Sequence, residues 1–128
     1  MPHSTMPIVG AFYRPPAALI CDKLPSGTPL WLYAEPTNDY DANAVAVWLN
    51  ANDVSEAAQA ALEERLPDFG LTLEDFMAQE EWHLGYIPRA LAAELKASGT
   101  IEDDIPFAVT FTTSNTGKPM VRFATPVL

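Results

Sequence analysis

A chain of 128 residues, 48% of them hydrophobic, is the size of one domain and can bury a core without disulfide or metal support. Its single cysteine, Cys21, excludes an intramolecular disulfide, and no apolar run approaches the roughly 20 residues of a membrane-spanning helix. The formal charge of −10 speaks against a broadly basic surface, but nine acids fall between Asn50 and Glu81 against one base, Arg65, which leaves the rest of the chain nearly neutral.

From the N-terminus, MPHSTMPIVG lacks the charged start and long apolar stretch of a signal peptide, and a cytoplasmic protein is expected. Runs rich in aromatic and β-branched residues, bounded by Pro and Gly, predict strands at 6–14 (MPIVGAFYR), 29–35 (PLWLYAE) and 44–50 (AVAVWLN). In the third, Val45, Val47 and Leu49 alternate with Ala44, Ala46 and Trp48. Both sides are apolar, as expected of an inner strand with a barrel interior on one side and a helix over the other. Trp31, Trp48, Phe107 and Phe111 are expected in the core.

The acidic segment changes period. Ser55 is placed to cap a helix over 55–66 with Ala58, Ala61, Leu62 and Leu66 near one stripe, and Pro67 ends it. Thr72 and Asp75 form a capping-box pattern for a second short helix. Residues 82–87 (WHLGYI) return to strand. Pro88 then opens a helix over 88–99, with Leu91 and Leu95 on one face and Gly99 as its stop. Strands at 105–113 and 118–125 flank SNTG, a hairpin turn in which Asn115 and Gly117 suit left-handed positions. The pattern is mainly β with helices, an α+β class. It describes one domain over 1–128: a small six-stranded antiparallel barrel or strongly bent sheet, with one helix after strand 4 and an acidic helical insertion, about 50–81, between strands 3 and 4.

Catalysis finds little support. His3, His83 and Cys21 have no zinc-like spacing, and neither a Ser/His/Asp order nor a glycine-rich phosphate loop is present. No enzyme activity, cofactor or metal is expected, and Cys21 reads as a packed thiol. The informative stretch is 35–50, EPTNDYDANAVAVWLN, which sets Tyr40 between two aspartates at a bend. Tyr40 offers a flat ring able to stack, and Asp41 beside it offers a hydrogen-bond acceptor. Asp39, Asp41 and Asn43 are equally the residue types that hold turns through local backbone amides. Arg89, in the first turn of a helix, is placed for phosphate. Arg14 is a second candidate cation, and Tyr86, beside Gly85, is a further candidate ring.

Three blocks, IVGAFYR, EPTNDYDANAVAV and LGYIPRALAAEL, resemble in order the signature blocks of the HIRAN domain, a module of certain remodelling ATPases that also occurs as a standalone bacterial protein. With their joining strands they cover about three quarters of the chain; the segment between Asn50 and Glu81 has no counterpart. The resemblance implies a modified OB-like six-stranded barrel that captures the 3′ end of single-stranded DNA, in a setting such as DNA repair. Position by position it implies a stacking role for Tyr13, the Tyr40–Asp41 pair at the last nucleotide, and Arg89 at phosphate. Phe12 and Tyr86 stand where the DNA-binding pattern has an arginine and a histidine.

Two functions follow as expectations. The first is a single-stranded DNA end-binding module, with a helicase or nuclease supplied in trans as protein partner. The alternative is a protein-interaction or regulatory module that uses the acidic helices to bind a basic surface or to cover the groove.

Overall fold

The computed structural model describes residues 3–11 and 16–127. Phe12, Tyr13 and Arg14 lie outside the described residues. Six strands form one sheet: β1 (His3–Pro7), β2 (Pro29–Ala34), β3 (Val45–Asn50), β4 (Glu81–Tyr86), β5 (Phe107–Thr113) and β6 (Pro119–Val127). Their spatial order is β1-β6-β5-β2-β3-β4, antiparallel throughout. Four helices accompany them among the described residues: α1 (Ala17–Lys23), α2 (Glu56–Arg65), α3 (Leu73–Ala78) and α4 (Arg89–Ala97). None is long and apolar enough to cross a membrane.

Strand alternation sets the core. Leu30 and Leu32 of β2, Val47 and Leu49 of β3, Leu84 of β4, Val109 and Phe111 of β5, and Val121 of β6 all point to the same side and are buried. Each fully buried side chain of this size contributes about 1.5–3 kcal/mol. β3 is an inner strand, as its pattern predicts, but its outward side carries Trp48, half-buried and stacked on His83. Trp31 is also half-buried on that outward side. Neither tryptophan joins the buried core, whereas Phe111 does and Phe107 packs against it. The register decides this: Trp31 and Trp48 occupy the alternate positions between residues already committed to the interior.

The sheet curls into a half-barrel. Between Val47 and Trp48 the pairing with β4 slips by one residue, leaving two residues of β4 opposite one of β3, a bulge that bends and twists the strand. The chain leaving β1 then crosses the gap. Ile8 N–H still donates to Pro119 on β6 (3.0 Å), while Val9 exchanges two backbone hydrogen bonds with Tyr86 on β4 (2.8 Å each). Gly85 permits this approach. Its φ is +155°, and a Cβ there would run into the Val9 carbonyl and reach within 3.0 Å of Ile8 Cγ2.

The first strand therefore differs from the expected 6–14: it is His3–Pro7 with one further bridge at Val9, and Gly10, at φ +85°, turns the chain away. α1 has no counterpart among the expected elements. It is seven residues long, starts without a side-chain cap, and holds its place by burying Ala17, Leu19, Ile20 and Cys21. The hairpin after β5 uses one left-handed residue, Gly117 (φ +79°); Asn115 is not at positive φ. Ser114 replaces that requirement, its Oγ accepting from the amides of Thr116 and Lys118 (3.3 and 3.1 Å).

The acidic insertion folds as expected. Ser55 Oγ accepts from Ala58 N–H (3.2 Å), and Thr72 and Asp75 exchange both capping-box bonds (3.1 and 2.9 Å). It is also built into the domain. Ala58, Leu62, Leu66 and Phe76 belong to the same buried cluster as the strands, and the Trp82 indole of β4 stacks on Phe76 and donates to its carbonyl (2.9 Å).

Candidate functional site

The loop from β2 to β3 is a ladder of local hydrogen bonds. Glu35 N–H donates to the Ala44 carbonyl (2.8 Å), which closes its base, and Ala44 N–H donates to the Asp41 carbonyl (3.0 Å). Asn38 Oδ1 accepts from the amides of both Tyr40 (2.8 Å) and Asp41 (3.1 Å), and Asp41 Oδ1 accepts from Asn43 N–H (2.9 Å). These bonds leave the Tyr40 ring outside the fold, 92% exposed, an unusual position for a large apolar surface.

Long-range contacts fix where this loop sits. Glu35 Oε1 accepts from Tyr86 Oη (2.9 Å) on β4 and from Asn38 Nδ2 (2.9 Å) in the loop. Lys96 of α4 donates to the Ala42 carbonyl (3.2 Å) and pairs with Asp103 (2.9 Å). The loop is thereby tied to β4 at one end and to α4 at the other. A cleft of about 470 Å³ results, walled by Tyr40, Asp41, Tyr86 and Arg89, with Val9, Ala44 and Ile87 supplying apolar lining.

The electrostatics of the cleft are balanced. Asp41 Oδ2 lies 3.7 Å from Arg89 Nε, an ion pair too long for a hydrogen bond. The carboxylate is 17% exposed and its partner guanidinium, on the first residue of α4, is 79% exposed, so the pair is held from one side only. Among the described residues, no acid of the insertion lines the cleft. The insertion's single base, Arg65, is paired with Asp68 at 2.8 Å.

Of the sequence-predicted site residues, Tyr40, Asp41, Tyr86 and Arg89 come together; Phe12, Tyr13 and Arg14 fall outside the described residues. Asp41 holds the turn through one oxygen, the local role considered for it, and its other oxygen faces Arg89. Sequence reasoning missed Glu35 and Asn38. Asn38 was accessible, because Asn two and three residues before a pair of loop amides is a standard Asx-turn arrangement. The bond from Tyr86 to Glu35 gave no local signal, since the two residues are 51 apart.

A row of rings adjoins the cleft. His83 stacks on Trp48 (centroids 4.8 Å apart, 15° between planes) and meets Tyr86 edge-on at 4.9 Å. Elsewhere, Cys21 is buried, and burial pushes its thiol up from the ordinary 9.0 to about 12, which leaves no thiolate for nucleophilic chemistry at neutral pH. Among the described residues, no three His, Cys, Asp or Glu side chains gather as metal ligands. No family model, curated protein or solved structure matches the chain.

Proposed function

We propose that the chain is a HIRAN-like module whose half-barrel is OB-like, and that the cleft receives the 3′ end of single-stranded DNA. The observation that carries this reading is the meeting of an exposed ring, Tyr40, with Asp41 and Arg89 at one cleft, although Arg89 comes from a different element. The cleft volume falls within the roughly 300–1,000 Å³ usual for small-ligand sites, enough for a terminal nucleotide.

In this reading Tyr40 stacks on the last base, worth about 1–3 kcal/mol. The 3′-hydroxyl donates to Asp41 Oδ2, where only the long contact to Arg89 has to give way. The released guanidinium, already largely in solvent, turns to the adjoining phosphate, with the positive end of α4 behind it. A continuing strand would place a phosphodiester against Asp41 and be repelled. Binding is weak and salt-sensitive, because few cations are at hand. The acidic helices line no part of the cleft, so the reading does not require their removal. An ATPase, helicase or nuclease acting in trans, in the cytoplasm, would make use of the captured end.

Fluorescence anisotropy at low salt tests this with short oligonucleotides carrying a free 3′-hydroxyl, a 3′-phosphate, or a free 5′ end beside a blocked 3′ end. Preference for the free 3′-hydroxyl, lost in Tyr40→Ala and Asp41→Ala, upholds it. Equal or absent binding of all three sinks it and turns the search to a protein partner of the acidic helices.

A further inference from the structure

The outward face of the sheet carries a second feature that the cleft does not use. Trp31 lies between the buried Leu30 and Leu32, Trp48 between Val47 and Leu49, and His83 between Trp82 and Leu84, so all three point away from the core. The register sets Trp31 opposite Trp48 and Trp48 opposite His83, one row of flat side chains across β2, β3 and β4. All three are half-buried, each presenting part of its surface to solvent. The row runs into the cleft without a break, because the Tyr86 and His83 rings meet in a T-shaped contact and Tyr86 is a cleft wall.

The charges of this face also differ from those of the chain as a whole. Beyond Trp31 the outward positions are Ala108 and Thr110 on β5, then Arg122 on β6 opposite Thr110 and Thr5. Acids appear at its margins, as Glu35, engaged by Tyr86, and Glu81 at the start of β4. In a chain of net charge −10, the middle of this surface combines half-buried aromatic side chains, threonine hydroxyls and an exposed arginine. Partly exposed aromatic side chains beside a cation, without acids between them, match a single-stranded nucleic acid and not a basic protein.

We infer that a single strand whose end sits in the Tyr40 cleft continues over the outward face of β4, β3 and β2, its bases stacking along His83, Trp48 and Trp31 and its phosphates reaching Arg122. The position of the end rests on the function proposed above; the stacking row rests on the sheet.

Intrinsic tryptophan fluorescence reads the row directly. Of the three tryptophans, Trp82 is buried with its indole bonded to Phe76, so quenching by stacked bases reports Trp31 and Trp48. A thymidine trinucleotide and decanucleotide with free 3′-hydroxyls, and a decanucleotide blocked at its 3′ end, are titrated into the wild type, Trp48→Ala, Trp48→Phe and Asp41→Asn. The decanucleotide is expected to quench, and to bind about tenfold more tightly for each added stacked base. Trp48→Ala removes that gain and leaves trinucleotide binding intact, which also shows the variant folded; Trp48→Phe keeps most of the gain. Equal affinity for both lengths, or indifference to Trp48→Ala, overturns the row while leaving the cleft. Quenching by the blocked decanucleotide that is also indifferent to Asp41→Asn upholds the row and overturns the cleft. Absence of binding by every oligonucleotide overturns both.

Discussion

Tyr86 donates its phenolic hydrogen to Glu35, 51 residues earlier in the chain, and the oxygen that receives it also holds Asn38. One carboxylate oxygen thus links β4 to the loop that presents Tyr40 and Asp41. Tyr86→Phe keeps the ring and removes the donor, so a stability loss of about 0.5–1.5 kcal/mol is expected in urea unfolding. Glu35→Ala removes the acceptor shared by two donors and should cost more. If the reading of the cleft is right, both variants also weaken oligonucleotide binding although neither removes a proposed contact. A wild-type midpoint for Glu35→Ala would show that the loop is held by its local bonds alone.

Gly85→Ala is expected to be the most damaging single methyl addition in the sheet. The backbone at φ +155° is strained for any L side chain, at about 1–3 kcal/mol, and the new carbon meets the Val9 carbonyl. Thermal unfolding should show a fall of several degrees or more. The cost concentrates where Val9 meets Tyr86, so hydrogen exchange of the Val9 amide should rise before that of Leu32. Protection of Val9 equal to wild type would mean that the strand crossing is not what Gly85 serves.

The pair Asp41 and Arg89 separates geometry from charge. Arg89→Gln removes the exposed end of a 3.7 Å contact, so stability should change by less than about 1 kcal/mol. Asp41→Asn retains an oxygen able to accept from the Asn43 amide, whereas Asp41→Ala loses it and is expected to cost about 1 kcal/mol more. Comparing the two by chemical denaturation isolates the turn bond; identical midpoints would assign it no weight.

Cys21 gives a pH dependence of known sign. Its thiol titrates near 9.0 when exposed and near 12 in the fold, so the unfolded chain loses the proton first. Stability contributed by the buried neutral thiol is intact below pH 9 and falls as pH rises from 9 toward 12, by at most about 1.4 kcal/mol per unit. Cys21→Ala should flatten that part of the curve. In the native protein the thiol is expected to react slowly with maleimide and to become fast in denaturant; rapid native labelling would contradict its burial.

Where local pattern and tertiary demand agreed, the fold was legible in the sequence. The caps at Ser55 and Thr72, the helix after Pro88 and the inner strand 45–50 needed only spacing and turn chemistry. α1 was missed because seven residues without a cap carry no periodicity of their own; the buried side of Leu19 and Ile20 stabilises it. Trp31 and Trp48 were misplaced for a different reason. Alternation in an apolar strand shows that there are two faces without saying which is inside, and the largest ring is a poor guide to that choice. At the cleft, Tyr40, Asp41 and Arg89 could be picked out as residues, but not the span that joins them through Glu35. That bond is a property of the sheet register.

The crossing from β1 to β4 also bears on how the molecule reaches its fold. Thr5 pairs with Arg122 and Val9 with Tyr86, so the first strand depends on partners made much later in synthesis. Hairpins such as β5–β6 form from neighbours, but β1 waits for a ring closure between distant parts of the chain, the kind of contact that slows folding. Until then β4 and β6 each keep an open edge. The cleft thereby takes part of its apolar lining, Val9, from a contact that must close a long stretch of chain, whereas Tyr40, Asp41, Tyr86 and Arg89 come from segments that lie closer together in sequence.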